Sequence, residues 1–315
     1  MKQGFVKVAS ATPRIRVADP VYNAQVICEQ AKEAAEHGAK IVVFPELCIT
    51  GYTCNDLFLQ ELLLEKAKEA LLTIAEETGQ LETLFLVGLP VDKDGRLYNV
   101  AAVLYRGRIL GMIPKKNIPM YAEFYEGRHF TPGEETVTEY RLGKQVIPFG
   151  SNLLFRCEEL PELILGCELC EDLWVAEPPS TSHALMGATV IANLSASNET
   201  VSKDDYRTLL IKASSARLLC GYIYTSAGEG ESTQDLVFGG HDLIAENGTL
   251  LVQSARFTTG ILYTDLDVLK ISSERRRMGT FGERPMKPYL TVPFSMQLTG
   301  TKLDRKVAAH PVVPE

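Results

Sequence analysis

The stretch LILGCELCEDLW, from Leu163 to Trp174, is the part of the sequence that decides the fold. Its opening apolar run, Leu163–Leu165, predicts a short buried strand. The run leads into Cys170-Glu171-Asp172, so a cysteine and two carboxylates follow where the strand ends. Side chains at strand ends of α/β folds emerge from a rigid layer into a crevice, where chemistry tends to collect. A buried cysteine is most often a small hydrophobic residue, so Cys170 is a candidate nucleophile only in the company of other reactive groups.

The composition is that of an ordinary globular protein. The chain has 315 residues, of which 45% are hydrophobic and 23% charged, so it can bury a substantial core. The net charge of -8 and a pI near 5.3 argue against a nucleic-acid partner. The basic run Arg275-Arg276-Arg277 is predicted to be a solvated turn.

Cysteine usage and hydropathy indicate the compartment and argue against a metal site. The 7 cysteines, odd in number and irregularly spaced, do not indicate a disulfide framework. The N-terminus lacks the apolar core of a signal peptide, and no apolar run approaches the ~20 residues that span a bilayer. We therefore expect a cytoplasmic protein with reduced thiols and no membrane partner. Cys167 and Cys170 have CxxC spacing, but no second pair follows and the 5 histidines are scattered, so we expect no metal.

Hydrophobic periodicity predicts alternating strands and helices. Helices are predicted over 19–38, 55–78 and 203–219, with Asp19 and the pair Asn55-Asp56 as N-caps of the first two. A long loop over 117–133, rich in aromatic and charged residues, is of a kind that is more often functional than idle. The main predicted strands are Phe5–Ser10, Lys40–Phe44, Leu84–Gly88, Val100–Tyr105, Ile109–Ile113, Thr189–Leu194, Tyr222–Ser226, Asp242–Ala245, Leu250–Ser254 and Ile261–Asp267.

Two further buried strands run into a reactive side chain, Glu46 in one case and Lys115 in the other. A cysteine nucleophile needs a base, because at a reference pKa of ~8.5 only a few per cent of it is thiolate at neutral pH. No histidine stands in a comparable context, and a glutamate can take this role. A fixed ammonium and a backbone N–H can hold an oxyanion. Glu46, Lys115 and Cys170 are therefore a chemically complete set for acyl transfer from an amide.

At these residues the sequence resembles the nitrilase superfamily, the carbon–nitrogen hydrolases with a Glu-Lys-Cys triad. The segment 44–47 is similar to the first motif of the superfamily, 114–115 to the second and 170–172 to the third. Each motif alone is weak, but three in the right order, all at strand ends, are specific. The resemblance covers roughly Val6 to Asp267. It implies an α/β fold, the nitrilase-like four-layer α-β-β-α sandwich, with the triad Glu46, Lys115 and Cys170 and with Glu126 as a second catalytic glutamate.

A closer resemblance is to the glutaminase domain of glutamine-dependent NAD synthetases. It rests on the segments 46–52, 119–130, 194–197 and 228–233, which are similar to segments of that family. The resemblance implies that Tyr121, Glu171, Ser197 and Lys203 recognise glutamine. The carboxylate of Glu171 suits the α-ammonium group, and the cation of Lys203 suits the α-carboxylate. Some members of the family carry arginine where Lys203 stands, so a bidentate clamp is not available here.

That family joins its glutaminase domain to an ATP-dependent synthetase domain with an SGGxDS loop, and this sequence contains no such loop. We therefore predict a carbon–nitrogen hydrolase (glutaminase) domain over 1–270. Over 271–315 we predict an irregular C-terminal extension, in which His310–Pro314 resembles the start of a linker. The resemblance implies glutamine as substrate, no cofactor in this domain, and ATP and Mg²⁺ only in an absent synthetase domain. The expected protein partners are that synthetase domain and, in a homo-oligomer, further copies of the chain.

Two other interpretations stay open. A stand-alone amidase or carbamoylase of the same superfamily would use the same triad, but its pocket would not need paired charges for an amino-acid zwitterion. A non-catalytic α/β interaction module would keep the fold, but it would have no reason to retain Glu46, Lys115 and Cys170 together.

Overall fold

Over residues 4–282, 288–300 and 302–305, which the computed structural model describes, the chain forms two β-sheets and five α-helices. None of the helices in these ranges is long and apolar enough to cross a membrane. The helices are α1 (Pro20–Glu36), α2 (Glu61–Glu77), α3 (Pro179–Leu185), α4 (Lys203–Arg217) and α5 (Val268–Arg277). The strands are β1 (Phe5–Thr12), β2 (Ile41–Val43), β3 (Leu84–Lys93), β4 (Arg96–Tyr105), β5 (Arg108–Pro114), β6 (Thr138–Leu142), β7 (Gln145–Phe149), β8 (Leu153–Cys157), β9 (Ile164–Leu169), β10 (Val190–Ser195), β11 (Gly221–Ser226), β12 (Leu243–Glu246), β13 (Thr249–Gln253), β14 (Gly260–Asp267) and β15 (Leu290–Phe294).

Both sheets are mixed, with parallel strands at their centres. The strand order is β14-β1-β2-β3-β4-β5-β7-β6 in the first sheet and β13-β12-β11-β10-β9-β8-β15 in the second. Strands β1, β2 and β3 run parallel, and so do β9, β10 and β11. Parallel strands end at the same edge of a sheet, so the segments that follow them collect there. A 3.3 Å hydrogen bond from the Glu46 N–H to the Ser195 carbonyl joins the two edges.

The two sheets pack face to face between two layers of helices. Helices α1 and α2 cover the outer face of the first sheet, and α3 and α4 cover the outer face of the second. Strand β2 shows why its sequence is continuously apolar: Val42 packs under the helices, whereas Ile41 and Val43 face the other sheet. The predicted four-layer α-β-β-α sandwich is confirmed.

Helix α2 begins later than the sequence predicts. Its expected caps, Asn55 and Asp56, lie in a 3₁₀-helical segment, Tyr52–Leu59, that precedes it. Asn55 has a non-helical backbone (φ 49°, ψ -134°), which interrupts the turn. The carboxylate of Asp56 accepts hydrogen bonds of 2.7 and 2.9 Å from Arg128 instead of capping the helix. The predicted start is wrong because the backbone is non-helical at Asn55 and extended at Gln60, so α2 begins only at Glu61.

Regular structure also extends beyond residue 270, where the sequence predicts an irregular extension. Helix α5 runs to Arg277, and β15 pairs in parallel with β8 at the edge of the second sheet. Arg275 is partly buried and donates to backbone carbonyls that follow α3 and α4. The prediction of a solvated turn is wrong for Arg275, because carbonyls left free at helix ends need donors. The segment His310–Pro314 lies outside the described residues.

Candidate active site

Glu46 is held by the turn that follows β2. Its side chain is fully buried, and its Oε2 accepts a 2.9 Å hydrogen bond from the Ala196 N–H, just beyond β10. The turn packs against β3 at Gly88, where an added Cβ would lie 2.7 Å from the Pro45 carbonyl oxygen. Only glycine permits this approach of the two backbones. Glu46 is therefore fixed by contacts with both sheets.

Cys170 begins a short 3₁₀ helix directly after β9. Its φ of 40° lies in the left-handed region, which is uncommon for a residue other than glycine. The buried carboxylate of Asp172 accepts hydrogen bonds from the backbone N–H groups of Leu169 and Asn117, at 3.1 and 2.8 Å. Asp172 thus links the turn that contains Cys170 to the loop that follows Lys115. A strained backbone held in this way is typical of functional sites.

Lys115 lies between two buried carboxylates. Its Nζ is 2.7 Å from Glu46 Oε1 and 2.5 Å from Glu126 Oε1. Burial lowers the pKa of Lys115, but Glu126 and Glu46 outweigh it and hold that pKa well above its ordinary value. Burial also raises the pKa of Glu126, against the opposing charge of Lys115. The ammonium therefore stays charged and links the two carboxylates.

Two further side chains complete this cluster, and sequence analysis assigned neither of them a role. The Asn99 Nδ2 donates to Glu46 Oε1 at 2.6 Å and to Glu126 Oε2 at 3.3 Å. The Tyr52 hydroxyl donates to Glu126 Oε1 at 2.9 Å. A signal for Asn99 exists in the sequence, since it is a polar residue at the start of the buried apolar run of β4.

The thiol of Cys170 is a weak acid in this setting. Burial and the charge of Glu46 raise its pKa, with a further contribution from Glu126, while Lys115 and the Ala196 N–H act in the opposite direction. The thiol therefore keeps its proton at neutral pH. Attack on a carbonyl group requires a base that removes this proton.

Cys170 opens onto a cleft of about 380 Å³. The acidic part of its wall is the carboxylate of Glu171. The Tyr121 hydroxyl lies 2.9 Å from each oxygen of this carboxylate. Burial raises the pKa of Glu171, whereas the Tyr121 hydrogen bond opposes this. The remaining large lining residues include Phe124, Trp174 and Tyr206.

The cationic part of the wall is Lys203, at the first position of α4. Its Nζ lies 5.1 Å from the ring centroid of Trp174 and 5.6 Å from that of Phe124, within the range of cation–π attraction. Burial lowers the pKa of Lys203. The two aromatic rings and the Asn198 side chain, which accepts a hydrogen bond from Lys203, orient the ammonium in the cleft.

Arg207, one turn further along α4, is a residue that sequence analysis missed. It is fully buried, and its Nη2 donates to Ser197 Oγ at 3.3 Å and to the Asn198 carbonyl at 3.2 Å. Its Nη1 donates to Glu199 at 2.8 Å. Because the Ser197 hydroxyl accepts from Arg207, its own proton is free to point elsewhere. The spacing of four residues from Lys203 would have indicated a shared helix face.

The structure brings the predicted site residues together in two groups. Glu46, Lys115 and Glu126 form one cluster, and their charges act on Cys170. The cleft onto which Cys170 opens is lined by the four predicted recognition residues, Tyr121, Glu171, Ser197 and Lys203. Among the described residues, no three His, Cys, Asp or Glu side chains are arranged to hold a metal ion.

Comparison with known families defines the class of protein. A family model described as carbon-nitrogen hydrolase matches residues 7–276. The chain therefore belongs to the carbon–nitrogen hydrolase family.

Its curated relatives narrow this class. The chain is similar to the glutamine-dependent NAD(+) synthetase of Mycobacterium bovis, with 43% identity over 284 residues that cover 90% of this chain and 42% of the relative. It is also similar to the enzyme of the same name from Mycobacterium leprae, with 39% identity over 322 residues that cover 99% of this chain and 47% of the relative. The chain thus spans less than half the length of these relatives.

Solved structures similar to this chain include a synthetase of the same name and an amidase. A glutamine-dependent NAD(+) synthetase from Cytophaga hutchinsonii superposes with a TM-score of 0.75 at 28% identity, covering 83% of this chain and 43% of that one. An amidase of the nitrilase superfamily from Nesterenkonia AN1 superposes with a TM-score of 0.67 at 21% identity, covering 88% of this chain and 96% of that one. The amidase supports the fold alone.

Proposed function

We propose that this chain is the glutamine-hydrolysing half of a glutamine-dependent NAD synthetase. The observation that carries the proposal is the buried Lys115, held between Glu46 and Glu126 and acting on Cys170, beside a cleft with one acidic and one basic wall. A substrate with a carboxamide at one end and an ammonium and a carboxylate at the other matches that arrangement. The names of the similar synthetases favour glutamine as this substrate.

In the first step, the Cys170 Sγ attacks the side-chain carbonyl carbon of glutamine while Glu46 takes the thiol proton. The oxygen gains a negative charge, which the Lys115 ammonium and the Glu171 backbone N–H hold. The C–N bond then breaks as Glu46 returns the proton to the leaving nitrogen. Ammonia departs and leaves a thioester on Cys170.

In the second step, water attacks the thioester. Glu46 takes a proton from the water, the C–S bond breaks, and the proton returns to the Cys170 sulfur as glutamate leaves. Glu126 orients Lys115 in both steps through their 2.5 Å ion pair. The same three charged groups therefore serve acylation and deacylation.

Recognition of the amino-acid end uses the cleft walls. Glu171, supported by Tyr121, pairs with the α-ammonium, and Lys203 pairs with the α-carboxylate. Ser197 accepts a hydrogen bond from Arg207 and can donate its own proton to that carboxylate.

A substrate screen tests this function. Ammonia release is measured from glutamine, from an N-carbamoyl amino acid and from a simple aliphatic amide. We expect glutamine to be preferred, and Glu171→Gln to raise KM for glutamine much more than for the uncharged amide, which lacks an ammonium group. Turnover of the simple amide with none of glutamine would instead support the stand-alone amidase.

The role of Glu46 is tested separately. Glu46→Gln keeps the shape of the side chain but cannot take a proton, so we expect kcat to fall by about 10²–10⁴-fold. Glu158→Gln, at an exposed position, is the matched control. A loss of less than tenfold would mean that another group takes the thiol proton.

The proposal includes a synthetase domain that amidates deamido-NAD with the released ammonia, and ATP and Mg²⁺ act in that domain. The names of the relatives support this part of the proposal, and so does their length, since the region similar to this chain covers only 42% and 47% of them. We expect this chain alone to form glutamate and ammonia but no NAD from deamido-NAD, ATP and ammonia. Addition or fusion of a synthetase domain is expected to raise glutamine hydrolysis by about 5–150-fold. NAD formation by this chain alone would contradict the proposal.

The predicted homo-oligomer is also part of this proposal. Light scattering of the purified chain measures its mass in solution, and a monomer at all concentrations would contradict it.

A further inference from the structure

We propose that Asn99 is a positioning residue for the reaction. Its side chain holds the carboxylates of the proton acceptor Glu46 and of the second glutamate, Glu126, in place on either side of Lys115. This inference rests on the proposed function, because it assigns Asn99 a role within the same site. It concerns a residue that neither the sequence motifs nor the family resemblance singles out.

Asn99 touches all three charged members of the cluster. Its Nδ2 lies 2.6 Å from Glu46 Oε1 and 3.3 Å from Glu126 Oε2. Its backbone carbonyl accepts the Lys115 N–H at 2.8 Å, where β4 pairs with the end of β5. One residue of a fully buried strand segment therefore fixes the backbone of the lysine and the side chains of both glutamates.

The orientation of the Asn99 amide follows from its neighbours. An amide nitrogen has two N–H groups, and here one serves each carboxylate. The reversed orientation would place the amide oxygen against two anions. In the observed orientation this oxygen is buried and accepts no hydrogen bond within the described residues. The two carboxylates therefore set the amide orientation.

A neutral donor suits this position better than a second cation. Glu46 already accepts from Lys115 and from the Ala196 N–H, and it must still be basic enough to take the proton of a weakly acidic thiol. A further positive charge would lower that basicity. The amide of Asn99 restrains both carboxylates without adding charge.

The test replaces the donor by an acceptor of the same shape. In Asn99→Asp a carboxyl group faces Glu46 and Glu126, which themselves contact Lys115 and, for Glu126, the Tyr52 hydroxyl, and whose charges act on the Cys170 thiol. We expect kcat for glutamine to fall by about 10²-fold with KM changed much less, because misplaced reacting groups cost rates of this order. The added acid raises the pKa of the coupled carboxyl groups, so the acidic limb of the kcat/KM profile moves to higher pH. This shift reports the added charge, so the positioning role of Asn99 is read from the fall of kcat without a matching change in KM.

The control is Asn247→Asp, which alters another side-chain amide with both of its polar atoms buried, in the turn between β12 and β13 at the opposite edge of the sheets. Its kcat and pH profile should equal those of the unaltered chain. Thermal unfolding is followed for both variants. If Asn99→Asp does not fold, Asn99→Ser, which is uncharged and too short to bridge both carboxylates, is measured in its place with the same expectation for kcat.

A second readout does not depend on turnover. The rate at which iodoacetamide alkylates Cys170 reports how readily its proton is removed, and we expect both Asn99→Asp and the uncharged Asn99→Ser to slow it. A folded variant with kcat within threefold of the unaltered chain, an unmoved pH profile and unchanged alkylation would overturn the role of Asn99. An unaltered chain that hydrolyses no amide would contradict the proposed function, while the alkylation rates would still decide the question for Asn99.

Discussion

At the scale of single residues, two cysteines three positions apart behave differently because of where β9 ends. Cys167 lies inside the strand, and its side chain packs in the apolar layer between the sheets. Cys170 follows the last residue of the strand and opens onto the cleft. Burial raises the pKa of both thiols, so acidity does not distinguish them. The difference is the nearby Glu46 and Lys115, which can move the proton of Cys170 and hold charge on its substrate.

This contrast gives a prediction about the two thiols. Cys170→Ala should unfold at the same temperature as the unaltered chain and show no detectable release of ammonia from glutamine. Cys167→Ala should retain turnover while losing about 1 kcal/mol of stability, because it removes buried sulfur from the core. Ammonia release and thermal unfolding of both variants provide the test. Retained activity in Cys170→Ala would place the nucleophile elsewhere.

At the scale of elements, Arg275 of α5 joins the ends of two other helices. Its guanidinium is surrounded by backbone carbonyls, and burial lowers its pKa to about 10. Such carbonyls have no partner within their own helix and need external donors. The acceptors are the carbonyls of Ala184, Gly187, Ala188, Leu218 and Leu219, at 2.6–3.4 Å.

Loss of this guanidinium should therefore be costly. We expect Arg275→Ala to lower the free energy of unfolding by about 2–4 kcal/mol, because several partly buried carbonyls lose a charged donor at once. Arg277→Ala, whose side chain is 74% exposed, is the matched control and should change stability by less than about 0.5 kcal/mol. Chemical denaturation measures both values, and equal losses would contradict the role assigned to Arg275.

The second sheet contains a buried carboxyl group that makes its stability depend on pH. Glu168 of β9 accepts hydrogen bonds from the Ser180 N–H at 2.7 Å and from the Tyr222 hydroxyl. Burial raises its pKa to about 7. Because the folded state binds this proton more tightly than the unfolded state, the contribution of Glu168 is fully present below about pH 4.3 and is lost as pH rises to about 7.

Glu168→Gln should remove this dependence. In the unaltered chain the loss of this proton from Glu168 is expected to lower the free energy of unfolding by about 3 kcal/mol as pH rises from about 4 to about 8. In the variant this part of the slope should disappear, whereas Glu158→Gln should leave it in place. Denaturation curves at several pH values measure the slope. An unchanged slope in Glu168→Gln would show that another group titrates.

At the scale of the whole molecule, the segment 302–305 ties the two sheets together at the edge opposite the site. Asp304 pairs with the buried Lys7 of β1, and its N–H donates to Asp265 of β14 at 2.6 Å. Arg305 forms hydrogen bonds of 2.9 and 2.8 Å with the buried Glu246 of β12. The first two contacts lie on the first sheet and the third on the second sheet.

Removal of this link should lower the stability of the two packed sheets without changing the rate of glutamine hydrolysis. We expect Arg305→Ala to lower the free energy of unfolding by about 1–3 kcal/mol, because Glu246 loses a charged donor. Glutamine turnover should remain unchanged, since the segment is at the far ends of the strands. Lys302→Ala, at an exposed position, is the control. Equal stability of the two variants would contradict the link.

The sequence by itself determined most of the strands, the first helix and the reactive strand ends, whereas the four-layer sandwich was an implication of the family resemblance. Apolar runs such as Lys40–Phe44 and Thr189–Leu194 predict buried strands, and the N-cap Asp19 with Pro20 at the first helical position predicts the start of α1 correctly. These are local properties, because each residue's preference and the period of its neighbours suffice to define them. Glu46 and Cys170 follow strands of different sheets, so the packing of the two sheets, and not the strand ends alone, brings them together.

Only the tertiary structure decided which distant groups face each other. The pairing of Asp56 with Arg128, the burial of Arg275 and the contact of Asn99 with both glutamates join residues far apart in the chain or on different elements. Periodicity gives the face on which a side chain lies but not its partner across a layer. A buried polar group must find such a partner, and its position is fixed only when the sheets and helices have packed.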